Sequence, residues 1–388
     1  MKRALLLLIA CLLLGAETFA QDQYNIEHTI QSKAFDKERT IKVLLPNRYF
    51  RDTTGTFLVT YVLDAQYDAF WEMAKQNINY MVDCYMVIPM IVVGIPSDDR
   101  GDEFRPPATK LQQHLKEEVF PLIEANYRVK DFRTIVGHSW GGAFVTSTLF
   151  SAQADMFDAY IAIGPSIGFR KNWIMQQADS ILQTQPQLGK FLYCSNGTVG
   201  RREKQFRKQV EILDSIITTH ANPTLAWATE LIEGTDHWSC VIPSFNDGLC
   251  KMSRNYFTDQ TVLEGFADNP QQGLREQIKT FYQQQEQHFG FTFEPSVRYI
   301  RFVGDDFRDT ENYSAAVDIY QWGLEKAPDN IRLHINLADT YDKMEDQALA
   351  KAALTKVQNM LEVQKEALEE SFYADFVEWT KERLAKYQ

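Results

Sequence analysis

Gly137-His138-Ser139-Trp140-Gly141-Gly142 has the pattern G-x-S-x-G, in which a serine rides a tight turn between a strand and a helix. The flanking glycines let the backbone take that turn without clashes. The helix that follows aims unpaired N–H groups and a partial positive charge at an oxyanion forming beside the serine. Such a hydroxyl attacks a carbonyl only if a base takes its proton. The stretch 21–255 holds His28, His114, His138, His220 and His237. His28 precedes the core of the sheet and His114 falls in a helical stretch. His138 is the variable residue of the turn, expected to pack beneath it, and His220 stands at the wrong end of the strand after it. His237 follows the strand expected at 224–232, across Glu233-Gly234-Thr235-Asp236, and is the expected base. An acid that orients this histidine should follow the preceding strand, at 191–194. Glu203 is the one acidic residue between Asp179 and Glu211 and is the expected third member, with Asp236 as the alternative. Two backbone donors complete the set: the N–H of Trp140, and one from Ala65 or Gln66 after the strand ending at Asp64, Gln66 being preferred. Tyr67, Phe70, Trp71, Trp140 and Trp238 flank these loops. Tyr67, Trp71 and Trp238 are the candidate pocket residues, with core packing as the alternative for most of them.

These residues need a sheet whose strands end on one side. Residues 26–35 and 40–45 alternate and read as an antiparallel pair. Residues 57–63 and 90–95 are continuous apolar runs, as in strands buried on both faces. A helical period fills 111–127, a short strand at 134–137 runs into a helix at 142–150, and further strands fall at 159–163, 191–194 and 224–232, with a helix at 204–219. Strand and helix in alternation predict an α/β fold with a mostly parallel sheet. Ligands of such sheets sit at the carboxyl ends of the strands.

Beyond about residue 255 the strand signals stop and Glu, Gln, Lys, Leu and Ala dominate. Gly304, Phe307, Ala316, Tyr320, Gly323 and Pro328 form a pattern that recurs about 34 residues on, at Ala338, Tyr341, Ala350 and Leu354. These positions resemble tetratricopeptide repeats, expected at 297–330 and 331–364, with a terminal helix at 366–386 that turns Phe372, Phe376 and Trp379 to the repeat core. An unrelated helical bundle is the plainer alternative. The expected organisation is a signal peptide at 1–20, an α/β domain at 21–255, a helical linker at 256–296 and repeats at 297–388.

The chain has 388 residues and a formal net charge of −12, which argues against a nucleic-acid binder. Lys2 and Arg3, the apolar run 4–14 and Thr18-Phe19-Ala20 form a secretory leader. Export to the periplasm or medium is therefore expected, and the net charge after cleavage is about −13. Leu8-Ile9-Ala10-Cys11 resembles a lipoprotein processing box, but its apolar run is short. Cys84, Cys194, Cys240 and Cys250 remain. An oxidising compartment permits a Cys240–Cys250 bridge, though free thiols in the core are the expected state. No metal-ligand spacing is present in the sequence, and neither metal nor cofactor is expected.

Several segments together resemble the esterases of the esterase D/enterochelin esterase group within the α/β-hydrolases. They are Tyr61-Val62-Leu63-Asp64-Ala65, Val92–Ile95 with Arg100 and Arg105-Pro106, Tyr127-Arg128-Val129, the serine turn, Ile163-Gly164-Pro165-Ser166, and 234–248 around His237. The resemblance covers about 25–255. It implies an α/β-hydrolase fold, supports Ser139, His237 and Glu203 as a triad, and implies hydrolysis of a small-molecule carboxylic ester of siderophore, sugar or aryl type. Ala65 and Gly164 depart from the group's glycine and serine, and Ala65 puts the second oxyanion donor in question. The alternative from another class is an inactive hydrolase domain displayed by repeats that bind a protein partner or a second copy.

Overall fold

β3 (Phe57–Leu63) and β4 (Met90–Ile95) are buried at every position, which is why their sequences run apolar without alternation. They sit mid-sheet, where helices cover both faces. The computed structural model describes residues 24–253, 265–266, 273–289 and 295–387, apart from 52, 85 and 221. The leader expected at 1–20, and much of the linker expected at 256–296, lie outside the described residues. The chain divides into two compact units, 1–257 and 258–388.

In the first unit, β1 (Asn25–Ser32), β2 (Lys37–Leu44), β3, β4, β5 (Val129–His138), β6 (Ala159–Ile163), β7 (Lys190–Gly197) and β8 (Leu225–Ile232) form one sheet. The strand order is β1-β2-β4-β3-β5-β6-β7-β8. β1 is antiparallel to β2, and β2 to β4; every other pairing is parallel. Parallel neighbours need crossovers, and helices supply them. They are α1 (Asp68–Asp83), α2 (Arg100–Glu103), α3 (the helical run 109–126), α4 (Trp140–Leu149), α5 (Phe169–Thr184), α6 (Arg201–His220) and α7 (Val241–Ser253). α1, α2, α5 and α7 were not expected from the sequence, and β5 is longer than expected, its first residues being partly exposed and charged. α3 passes through a π-helical turn at Leu115–Val119. The core joins Tyr61, Phe104, Phe144, Phe150, Phe157 and Tyr160 across the sheet.

The second unit is helical: α8 (Leu274–Phe289), α9 (Val297–Asp309), α10 (Tyr313–Lys326), α11 (Ile331–Lys343), α12 (Gln347–Gln364) and α13 (Glu370–Ala385). Asn312, Asn330 and Asp346 cap α10, α11 and α12 through their side-chain oxygens. The small residues of the repeat pattern mark close helix contacts. A Cβ on Gly304 would lie 2.4 Å from the Tyr320 ring, and Ala316, Ala338 and Ala350 are fully buried. Phe372, Phe376 and Trp379 of α13 pack on the cluster of Ile331, Ile335, Leu354 and Val357. No described helix is long and apolar enough to cross a membrane.

Candidate active site

Ser139 links β5 to α4 with φ 60° and ψ −111°, a backbone conformation that costs a side chain on the order of 1–3 kcal/mol. The turn is held by its own backbone. Ser139 N–H donates to Ile163 C=O (2.9 Å), and its C=O accepts from Ala143 N–H and Ser166 N–H (both 3.0 Å). Gly137 has no alternative, because a Cβ there would lie 2.4 Å from the Gly141 carbonyl carbon. Trp140 begins α4, so its N–H is one of the helix's unpaired donors.

His237 lies in the loop between β8 and α7 and is buried. Its Nδ1–H donates to Glu203 Oε1 at 2.5 Å. Glu203 is buried in the first turn of α6 while Arg201, Arg202 and Lys204 around it face solvent. Its other oxygen accepts from Gly197 N–H (2.9 Å) and Asn196 Nδ2–H (3.2 Å). The loop with His237 crosses over β7 so closely that a Cβ on Gly197 would meet Thr235 C=O at 2.3 Å. Asp236 takes a different part. It is exposed and accepts from the N–H groups of Trp238 and Ser239 and from Ser239 Oγ–H. Those bonds hold its carboxyl below the usual range and tie off the loop.

His138, expected to pack beneath the turn, is buried and reaches the base. Its Nε2–H donates to His237 C=O (2.9 Å), and the two rings lie 4.5 Å apart. A carbonyl only accepts, so His138 is the Nε2–H tautomer. Burial, with His237 alongside, holds its pKa down to about 3, so the ring is neutral. Cys240 Sγ–H also points at His237 C=O (3.6 Å), and burial pushes this thiol up to about 12. Cys84, Cys194, Cys240 and Cys250 are all free thiols.

At the end of β3 the left-handed residue is Asp64 (φ 68°), not Ala65. The Ala65 methyl therefore imposes no strain, and its N–H is spent on Ile95 C=O (3.4 Å). Gln66 N–H, the expected second donor, has no partner among the described residues. Its side chain is anchored at both ends, Nε2–H to Asp64 Oδ1 (3.0 Å) and Oε1 accepting from Ser97 N–H (2.8 Å). Arg100 grips Asp64 through Nε (2.5 Å) and Nη2 (2.8 Å) and donates to His138 C=O (3.2 Å). Arg100 and Asp64 therefore join the Gln66 loop to the serine turn. Gly164 (φ 49°) leaves the imidazole room, since a Cβ there would stand 3.1 Å from His237 Nδ1.

Beside this cluster a cavity of about 290 Å³ opens between α1 and α7. Tyr67, Phe70, Met73, Trp238, Val241 and Ile242 give it an apolar wall, and Asp64, Arg100 and His138 reach it. Trp71, expected alongside Tyr67 and Trp238, does not line it. It is buried against Gly94 of β4, where a Cβ would meet its ring at 2.8 Å. No described group of three or more His, Cys, Asp or Glu residues could hold a metal ion.

The family model described as "Putative esterase" matches residues 32–247. The chain belongs to this esterase family. Ferri-bacillibactin esterase BesA of Bacillus subtilis (strain 168) is 41% identical over 66 residues, which span 17% of this chain and 22% of that protein. An IroE-like serine hydrolase from Shewanella oneidensis superposes with a TM-score of 0.65 at 16% identity, over 78% of this chain and 100% of that one. The siderophore hydrolase EstB from Aspergillus nidulans gives 0.52 at 17%, over 61% of this chain and 97% of that one. The fold of this chain is thus an α/β-hydrolase-like sheet with helices on both faces, followed beyond the family match by a helical region.

Proposed function

We propose that the protein is a serine hydrolase that cleaves carboxylic esters of small molecules through Ser139, His237 and Glu203. Ser139 Oγ attacks the ester carbonyl and its proton passes to His237 Nε2. The Nδ1–H bond to Glu203 holds the tautomer with Nε2 free and stabilises the imidazolium that forms. The N–H groups of Trp140 and Gln66 take the oxyanion. When the tetrahedral species collapses, the C–O bond breaks and His237 returns the proton to the departing alkoxide. Water then attacks the acyl-enzyme with His237 as base and frees the acid and Ser139. The observation that carries this reading is the buried His237–Glu203 bond at 2.5 Å, with Glu203 held from behind by two further donors.

The similarity to a ferri-bacillibactin esterase makes siderophore esters the first substrates to try, with feruloyl sugars and short acyl esters beside them. The leader at 1–20 supports export, which N-terminal sequencing of the secreted or periplasmic protein would test. The 34-residue spacing of buried small residues supports tetratricopeptide repeats in the second unit, with a protein partner or a second copy as what they bind. The test of the enzyme is Ser139→Ala. Ester turnover should fall at least about a thousandfold while the fold persists; turnover like the wild type would refute the proposal.

A further inference from the structure

Two guanidinium groups converge on one phenyl ring next to the serine turn, and neither is paired with a carboxylate among the described residues. Arg105 Cζ lies 5.9 Å from the centre of the Phe169 ring and Arg170 Cζ lies 5.3 Å from it. Arg105 also stacks on the indole of Trp140, 4.3 Å from its centre, and Trp140 is the residue after Ser139. Both arginines are exposed, and among the described residues neither guanidinium has a hydrogen-bond or ion-pair partner. Three other arginines of this unit are ion-paired: Arg39 with Glu103, Arg100 with Asp64 and Arg133 with Glu124. In a chain with net charge −12, carboxylates are plentiful, and this pair is nonetheless left without one. The backbone helps present it, since Arg170, Lys171 and Asn172 form a left-handed turn with φ of 48°, 55° and 63°. A guanidinium lying on a ring face keeps its N–H edge free, and that edge matches the two oxygens of a carboxylate.

The apolar cavity lies across Arg100 from this pair. The Arg100 guanidinium is 6.0 Å from the centre of the Tyr67 ring, on the cavity wall, and 5.9 Å from that of Trp140. Because Arg100 is neutralised by Asp64, it offers the cavity no net charge. The two sides of the serine therefore differ in kind, one apolar and the other cationic. We propose that Arg105 and Arg170 bind a carboxylate on one half of the ester substrate while the cavity wall of Tyr67, Phe70, Met73, Trp238 and Ile242 takes the apolar half. This rests on the esterase reading above and names the class of ester: one apolar half, one anionic half.

The test compares matched esters that differ only in carboxylate or carboxamide. 4-Carboxyphenyl and 4-carbamoylphenyl butyrate carry the difference on the alcohol side, and phenyl hydrogen adipate and its amide carry it on the acyl side. In at least one pair, the charged-to-neutral ratio of kcat/KM should fall about tenfold in Arg105→Ala/Arg170→Ala, the scale of one charge-assisted pair. In the wild type the same ratio should fall as salt rises from about 0.02 to about 0.5 M, because both groups are exposed to screening. The salt series stands by itself if the double variant does not fold. Ratios equal in variant and wild type for both pairs, or flat with salt, would overturn the proposal. A wild type that neither turns over any ester nor reacts with a fluorophosphonate would instead refute the esterase reading.

Discussion

Glu203→Gln should stop turnover by reversing the histidine. Oε2 of Glu203 faces two donors, Gly197 N–H at 2.9 Å and Asn196 Nδ2–H at 3.2 Å, whereas Oε1 faces only His237 Nδ1–H. A glutamine has one oxygen, and the two donors will claim it. Its amide NH₂ then points at His237 Nδ1, which must give up its proton and accept. The proton moves to Nε2, where it blocks the lone pair that would take the serine proton. A wrong tautomer in an intact triad costs on the order of 10⁴-fold in kcat, or about 5 kcal/mol of barrier. The assay is steady-state hydrolysis of a short aryl ester, with circular dichroism to confirm the fold. Asp236→Asn is the control, since its Oδ1 still accepts from Trp238 and Ser239; it should stay within about tenfold of the wild type. If Glu203→Gln kept more than about a tenth of wild-type kcat, Glu203 would not be the orienting acid.

Ser139→Gly should abolish turnover yet raise stability by about 1 kcal/mol, because glycine relieves φ 60°, ψ −111° at a smaller entropic cost; a lower urea midpoint than the wild type would count against strain at the turn. His138 is held to about 3 when folded against an ordinary 6.5, so below about pH 6.5 only the unfolded chain gains its proton and stability falls with pH. Between pH 7 and 5 the wild type should lose about 2 kcal/mol more than His138→Gln, measured by urea unfolding at each pH, and equal losses would show that the ring is not buried neutral. Arg100→Ala should destabilise by about 3 kcal/mol by leaving the buried Asp64 carboxylate unpaired; Arg100→Ala/Asp64→Asn should recover most of this.

What the sequence makes legible here follows how local each constraint is. The serine turn can be read because Gly137 and Gly142 answer contacts within a few residues or with an adjoining strand end. His237 and Glu203 can be read from order alone, as polar residues just past the last two strands of a parallel sheet. Their support cannot. Gly197 N–H and Asn196 face Glu203 only because the chain doubles back after β7, and Arg100 meets Asp64 from 36 positions further along the chain. His138 looks like a variable residue until the loop after β8 passes over it. Aromatic type carries the least information: Tyr67 and Trp71 are four residues apart near the same loop, but one lines the cavity and the other is buried against β4. Tyr67 just before α1 and Trp71 within it point toward different neighbours, which composition does not encode.

The central claim, that Ser139 is activated by His237 and Glu203, is tested most directly by reacting the mature protein with a fluorophosphonate and mapping the adduct by mass spectrometry. One adduct is expected, on Ser139, absent from Ser139→Ala and formed at least about a thousandfold more slowly in His237→Gln. A folded wild-type protein that forms no adduct, or an adduct that persists on another residue in Ser139→Ala, would contradict it.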